Sequence, residues 1–327
     1  MWRILQLITK NLTLAIPIMM ILGFGFGLLF NASWLKAMII PFTFLMVYPM
    51  MVTLKVKKVF EGGDTKAQLI TQAVNFLVIP FLAWGIGLAV FADEPYMALG
   101  LLLAGLVPTS GMTISWTGFA KGNMAAAVKM TVAGLVLGSL LTPFYVKLLM
   151  GASIEVDVLA VLKQVFFIVF LPMALGYATQ RLLIRRYGQE DFQKHVAPRF
   201  PVLSTVGVLG IVFVALALKA RTIADAPQVL LIILAPLLLL YVINFSMSTL
   251  LGKKLLPRDD AIAMVYGSVM RNLSIALAMA MNAFGEQGAD AALVVAAAYI
   301  IQVQSAAWYV KLTPKIFGVP QSVVGTD

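Results

Sequence analysis

The sequence predicts an all-α membrane protein of ten transmembrane helices arranged as two inverted five-helix repeats. Three observations carry that expectation. Hydrophobic residues make up 61% of the 327-residue chain and charged residues only 12%, against roughly 45–50% and about 25% in soluble domains. Apolar runs follow one another at lengths near the roughly 20 residues that cross a hydrocarbon core of about 30 Å. Two of these runs are broken by polar residues at the same ordinal place in the two halves of the chain, as in carriers built from inverted repeats.

The predicted spans are 11–31, 34–54, 67–91, 95–119, 123–146, 157–180, 202–219, 227–250, 261–284 and 290–312. If the KVKK loop (Lys55–Lys58) faces the cytoplasm, 17 of the 24 basic residues collect on that side. Four lie on the other side (Lys36, Lys147, Lys219 and Arg221), and Lys129, Lys163 and Arg271 fall within spans. This asymmetry follows the positive-inside rule. It predicts a multi-pass plasma (inner) membrane protein with both termini cytoplasmic, and it accounts for the +10 formal charge without a nucleic-acid partner. The basic start Met1–Asn11 leads into an apolar run that lacks an A-x-A-type cleavage site and is long enough to span. The longest polar stretch, Arg181–Arg199, is expected to be a cytoplasmic loop.

The halves are 1–150 and 151–327, joined near Gly151–Asp157. Five spans per half is an odd number, so a second half folded like the first enters the membrane from the opposite face. The fourth span of the first half, about Pro95–Phe119, is interrupted at Val107–Ser115 (VPTSGMTIS). There Pro108 lacks an amide hydrogen, Gly111 tolerates unusual backbone angles, and Thr109, Ser110, Thr113 and Ser115 offer hydroxyls. The fourth span of the second half, about Ala261–Phe284, is interrupted at Tyr266–Ser274 (YGSVMRNLS). Such breaks persist at membrane depth only where protein or a water-filled cavity receives the freed backbone groups.

Arg271 lies 10 residues after Ala261 and 13 before Phe284, too deep for easy snorkelling. An arginine at a helix centre costs about 2.5–3.5 kcal/mol or more. All 14 acidic residues lie in loops, at span ends or at the C-terminus, so none is placed at membrane depth to pair with it. Unwound carbonyls, water or a transient anion must balance the charge, and the guanidinium fork suits a carboxylate or oxyanion. Lys129 and Lys163 are shallower and are expected to snorkel. Trp116, beside the first break, is a candidate wall of the site, and the methionines read as packing.

The chain resembles the bile acid/sodium symporter superfamily, including its arsenite-permease, arsenic-resistance-like branch. PTSGMTISWTGFAKGN from Pro108 is similar to the superfamily's fourth-span motif, Thr142-Pro143 to a later pair, Asn75-Phe76 with Pro80 to a Gln-Phe…Pro element, and Arg271-Asn272 to a Gln-Asn pair. The resemblance implies a core domain (about 67–146 and 227–312) in which two broken helices cross, and a panel domain (about 11–54 and 157–219). Substrate would bind between the two. In sodium-coupled members a glutamate stands where this chain has Gly267, a glutamine where it has Arg271, an asparagine where it has Ile114 and a serine where it has Ala127. Thr113, Thr131 and Asn75 remain as residual sodium-site positions. These departures argue against sodium coupling and suggest that a fixed positive charge replaces the cation. The arsenite branch carries a cysteine where this chain has Thr109, and the chain contains no cysteine at all.

The expected function is secondary active transport of a small organic anion by alternating access. Arg271 would hold the anion, and Thr109, Ser110, Thr113, Ser115, Asn75, Ser268 and Asn272 would supply hydrogen bonds. The coupling ion, proton or sodium, stays open. No cofactor and no metal site are expected, and the partners are the anion and the lipid bilayer. Export of arsenite or antimonite without a thiol is the alternative, and a non-transporting receptor or scaffold is a remote one. An intramembrane enzyme is excluded because no acid, histidine or cysteine lies at membrane depth.

Overall fold

The computed structural model describes residues 11–54, 63–107, 109–225 and 227–319. The basic loop Lys55–Lys58, the N-terminal Arg3 and Lys10, and Pro108 lie outside these residues. The described chain is helical, with no β-strand among its elements: α1 (Leu12–Leu29), α2 (Ser33–Val52), α3 (Thr65–Val90), α4 (Pro95–Leu106), α5 (Gly111–Phe119) and α6 (Met124–Met150). After these come α7 (Val158–Tyr187), α8 (Phe200–Asp225), α9 (Val229–Leu255), α10 (Arg258–Val269), α11 (Leu273–Ala283) and α12 (Gly288–Phe317). Seven helical stretches among the described residues are long and apolar enough to cross a membrane, and Leu14–Leu29, Pro95–Leu106 and Leu273–Ala283 are shorter apolar helices.

Several elements differ from expectation. Helices α7, α8, α10 and α12 run beyond the predicted spans, because a helix that satisfies its own backbone need not stop at the edge of its apolar run. The stretch Arg181–Arg199 is not an open loop. Helix α7 continues to Tyr187 with Arg185 and Arg186 in its last turn, where the helix dipole favours cations. Gly188 then ends it at φ +82°, and short helical turns fill 189–199. Lys129 does not snorkel. It is buried and pairs with Asp64 at 3.1 Å, because Asp64 at the start of α3 lies within reach. Asn123 caps the start of α6 and also donates to Asp64 (2.9 Å) and Asp260 (2.7 Å), tying together the first turns of α3, α6 and α10.

Proline shapes α3. The Pro80 ring displaces the carbonyl four residues earlier, at Phe76, and the helix widens into a π turn at Val74–Val78. The Tyr145 hydroxyl of α6 donates to that carbonyl. The same turn carries Asn75, whose side chain is fully buried in the protein interior.

The helices pack in two groups. Helix α8 lies along α1 and α2, and α7 packs on α2. In the second group α4 packs on α12 and α3, α9 on α10, α11 on α12, and α5 on α6. Helices α11 and α12 also touch the first group, through α2, α7, α8 and α1. Close approach depends on small residues, as in other helix bundles in membranes. A Cβ on Gly100 of α4 would stand 2.5 Å from the Ala291 carbonyl oxygen of α12. Gly100→Leu should therefore destabilise the protein by roughly 1–3 kcal/mol, read as a lower melting temperature in detergent. Gly85→Leu, where nothing lies within 4 Å of the added carbon, should melt like the parent.

Candidate functional site

The two breaks meet. The Asn272 amide donates to the Val107 carbonyl at 2.8 Å, so the non-helical segments between α4 and α5 and between α10 and α11 touch where they cross. Both breaks are narrower than the sequence predicts. Ser268 still belongs to α10, and Thr113, Ser115 and Ser274 are already in the following helices.

Each chain segment leaving a break is capped by its own polar residue. Ser110 begins α5: its hydroxyl accepts from the Met112 amide, and its own amide donates to Thr113 Oγ1, forming a capping box. Asn272 begins α11, with Oδ1 accepting from the Ile275 amide at 3.3 Å. Thr109 sits at φ +62°, a strained conformation for a β-branched residue. Its hydroxyl reaches the carbonyls of Thr131 (3.1 Å) and Met130 (3.3 Å) on α6, which fixes the turn.

The C-terminal carbonyls of α10 are covered from three other helices. Asn75 Nδ2 of α3 donates to Gly267 at 3.0 Å, Asn244 Nδ2 of α9 donates to Ser268 at 3.0 Å, and Thr113 of α5 donates to Tyr266 at 3.5 Å. Next along the chain, the Arg271 peptide is held by Gln302 of α12. The Arg271 amide donates to Gln302 Oε1 (2.7 Å), and Gln302 Nε2 donates to the Arg271 carbonyl (3.1 Å). Tyr241 of α9 donates to the same Oε1 at 2.9 Å. Arg271 is 3% exposed, and its two Nη atoms have no hydrogen-bond partner among the described residues. The space that a side chain at Gly267 would enter is filled by the Met130 sulfur and the Thr71 methyl, 2.7 and 3.1 Å from a built Cβ.

Beside the crossing lies a cavity of about 520 Å³ between the two helix groups. One wall is the start of α5 (Ser110, Gly111, Met112, Ser115), the middle of α6 (Thr131, Leu135) and the polar trio Asn272, Ser274 and Tyr299. The other wall is the end of α2 (Met50, Met51, Thr53) with Leu54, and the start of α8 (Pro201, Ser204, Thr205, Val208). Among the described residues, none that lines the cavity carries a formal charge. The N-terminal ends of α5 and α11 open onto it, and such ends favour anions. The hydroxyls of the second wall donate to their own scaffold: Thr53 to Met50, Ser204 to Met46 and Thr205 to Pro201. That wall therefore presents oxygen acceptors, whereas the first wall presents Ser110, whose hydroxyl accepts from the backbone, and the Ser274–Tyr299 pair.

The model of the Sodium Bile acid symporter family matches residues 40–226, more than half of the chain. The chain belongs to the sodium bile acid symporter family. Among the proteins it is similar to, the arsenical-resistance protein Acr3 of Alkaliphilus metalliredigens is 25% identical over 77% of this chain and 74% of its own. The uncharacterized transporter slr0944 of Synechocystis is 25% identical over 89% of this chain and 85% of its own. The sodium/bile acid cotransporter 7 of Rattus norvegicus is 25% identical over 65% of this chain and 64% of its own. The protein is a transporter of this family and an integral, multi-pass membrane protein.

In this member of the symporter family the residues singled out in the sequence divide into two sets. Ser110, Ser115, Thr131 and Asn272 line the cavity. Arg271, Ser268, Thr109, Thr113 and Asn75 do not; they form the buried scaffold of the crossing, Thr109, Thr113 and Asn75 through the bonds just described. Trp116 meets Phe119 edge-on at 5.6 Å and is no wall of the cavity. Sequence reasoning missed Tyr299 and Gln302, whose polar groups at three-residue spacing in an apolar span were the available signal. It also missed Met50, Met51 and Met112, which line the cavity rather than only filling the core. Gln302→Leu should leave both polar groups of the Arg271 peptide unpaired and cost roughly 2–5 kcal/mol, measured by thermal melting in detergent. Ser274→Ala, which removes only one member of a hydroxyl pair at the cavity, should cost less than about 1.5 kcal/mol.

Proposed function

We propose that the chain is a secondary carrier of a small organic anion, working by alternating access without sodium coupling. The observation that carries this reading is the cavity between the two helix groups, uncharged among the described residues, onto which the positive ends of α5 and α11 open. A carboxylate placed there meets Ser110, Ser115 and Asn272, while Met50, Met51, Leu135 and Val208 cover an apolar body. Arg271 stands behind this wall and contributes positive potential rather than a direct contact. Its unpaired guanidinium is undiluted by any carboxylate ion pair among the described residues.

The carrier is read as ten spans in two inverted repeats, 1–150 and 151–327, with α4–α5 and α10–α11 as the broken fourth span of each. A panel of α1, α2, α7 and α8 moves against a core of α3–α6 and α9–α12, in a plasma membrane with both termini cytoplasmic. The case against sodium is chemical. Thr113 and Asn75 are engaged in covering α10 carbonyls, the Thr131 hydroxyl donates to Ala127, and a buried guanidinium repels a neighbouring cation.

A second reading, export of a trivalent metalloid, is favoured by the similarity to the Acr3 protein. A metalloid hydroxide would have to be held by the cavity hydroxyls, because the chain has no thiol. Resistance conferred on a metalloid-sensitive strain, without uptake of organic anions, would favour it.

The test is uptake and counterflow of an organic-anion panel in proteoliposomes. Replacing sodium by potassium should leave the rate unchanged, and a severalfold fall would overturn the uncoupled reading. Arg271→Gln should raise KM roughly tenfold, the equivalent of about 1.4 kcal/mol, yet melt no lower than the parent, since it removes a buried unpaired charge. Ser115→Ala, which removes no cap, should weaken the anion without lowering the melting temperature.

A further inference from the structure

The cavity lies toward one end of the seam between the helix groups, and the opposite end is closed by charge. Along α8 the cavity residues stop at Val208, and Lys219 follows 11 residues later, roughly 16 Å along the axis. Along α2 the cavity residues begin at Met50, whereas Lys36 sits in the first turn. Both lysines reach across the seam. Lys219 pairs with Asp290 of α12 at 2.8 Å, each side chain 19% exposed, and Lys36 pairs with Glu286, just before α12. The hydrogen bond from Lys36, and then its charge, hold the Glu286 carboxyl below the usual carboxylate range. Between these pairs and the cavity, Asn282 of α11 donates to Thr43 of α2 at 3.0 Å, a third polar bond across the same seam.

We propose that Lys219–Asp290 and Lys36–Glu286 form a gate that shuts one end of the transport path while the cavity is open toward the other. All three contacts join α2 or α8 to the α11–α12 segment, so they are contacts that a relative displacement of the two helix groups must break. None of them holds either group together internally. Two oppositely charged pairs on one seam strengthen closure more than an isolated surface pair does, and the half-buried Lys219–Asp290 pair is the less screened of the two. Opening would free two lysines on one flank and two carboxylates on the other, and this gate rests on the carrier of the proposed function.

The native absence of cysteine permits a direct test. In proteoliposomes, joining Lys219→Cys to Asp290→Cys with a short bis-methanethiosulfonate, which forms a disulfide with each cysteine, should stop transport, and reductive release should restore it. Undiminished flux through the joined protein would overturn the gate. A second measurement needs no substrate. Spin labels at Trp34→Cys and Gln287→Cys, both exposed beside the seam, report its width. Lys219→Met with Asp290→Met should shift the distance distribution severalfold toward the longer population, and the swap Lys219→Asp with Asp290→Lys should shift it back. A distribution unmoved by the neutral pair would overturn the gate whether or not any solute is carried. Widening without flux for any anion would sink the carrier reading instead and leave the gate standing.

Discussion

A backbone that leaves the helical ladder in a nonpolar environment must find other partners, and in this protein that constraint organises the centre of the molecule. The chain unwinds at two places and spends few residues doing so. The carbonyl end of α10 takes donors from α3, α5 and α9, and the peptide that follows is held by one glutamine of α12. Four helices are therefore bound to one short segment by directional bonds, in a setting where apolar contact alone gives little preference between helix and lipid. The position of Asn272, and through it the start of α11, is a consequence of those bonds.

The same arrangement sorts charge. The negative carbonyl end of α10 is covered inside the protein, with the Arg271 cation two residues beyond it, whereas the positive amide ends of α5 and α11 face the cavity. Membership of a transporter family and a chamber walled by two separate helix groups meet at this point. The anion proposed for the chamber would need no formal charge from the described walls, because the field would come from oriented peptides and from a guanidinium held nearby.

Much of this was legible in the sequence. The breaks were visible because Pro108, Gly111 and four hydroxyl residues in one span, and Arg271 with Asn272 in the other, interrupt otherwise apolar runs, and their crossing followed from the family resemblance. The roles within the break were not legible. Asn75, Thr113 and Ser110 are chemically similar candidates, yet only Ser110 lines the cavity, because the other two bond to carbonyls of α10 that are remote in sequence. That Arg271 is not among the cavity's lining residues was not legible either, because nothing in the chain reveals which way a side chain in a three-residue turn will point. Lys129 was misread for a related reason: its partner Asp64 lies 65 residues away. The wall formed by α2 and α8 carried no motif, since its hydroxyls look like ordinary helix residues.

That wall has its own consequence. Thr53, Ser204 and Thr205 have already given their protons to neighbouring carbonyls, so the oxygens they show have only lone pairs to offer. An oxyanion lodged in the chamber, as proposed, would be tethered from one flank alone, and the other flank could slide away without tearing any hydrogen bond to it. Separation of the two flanks would leave the passenger on the side of the crossing helices, with its release governed there.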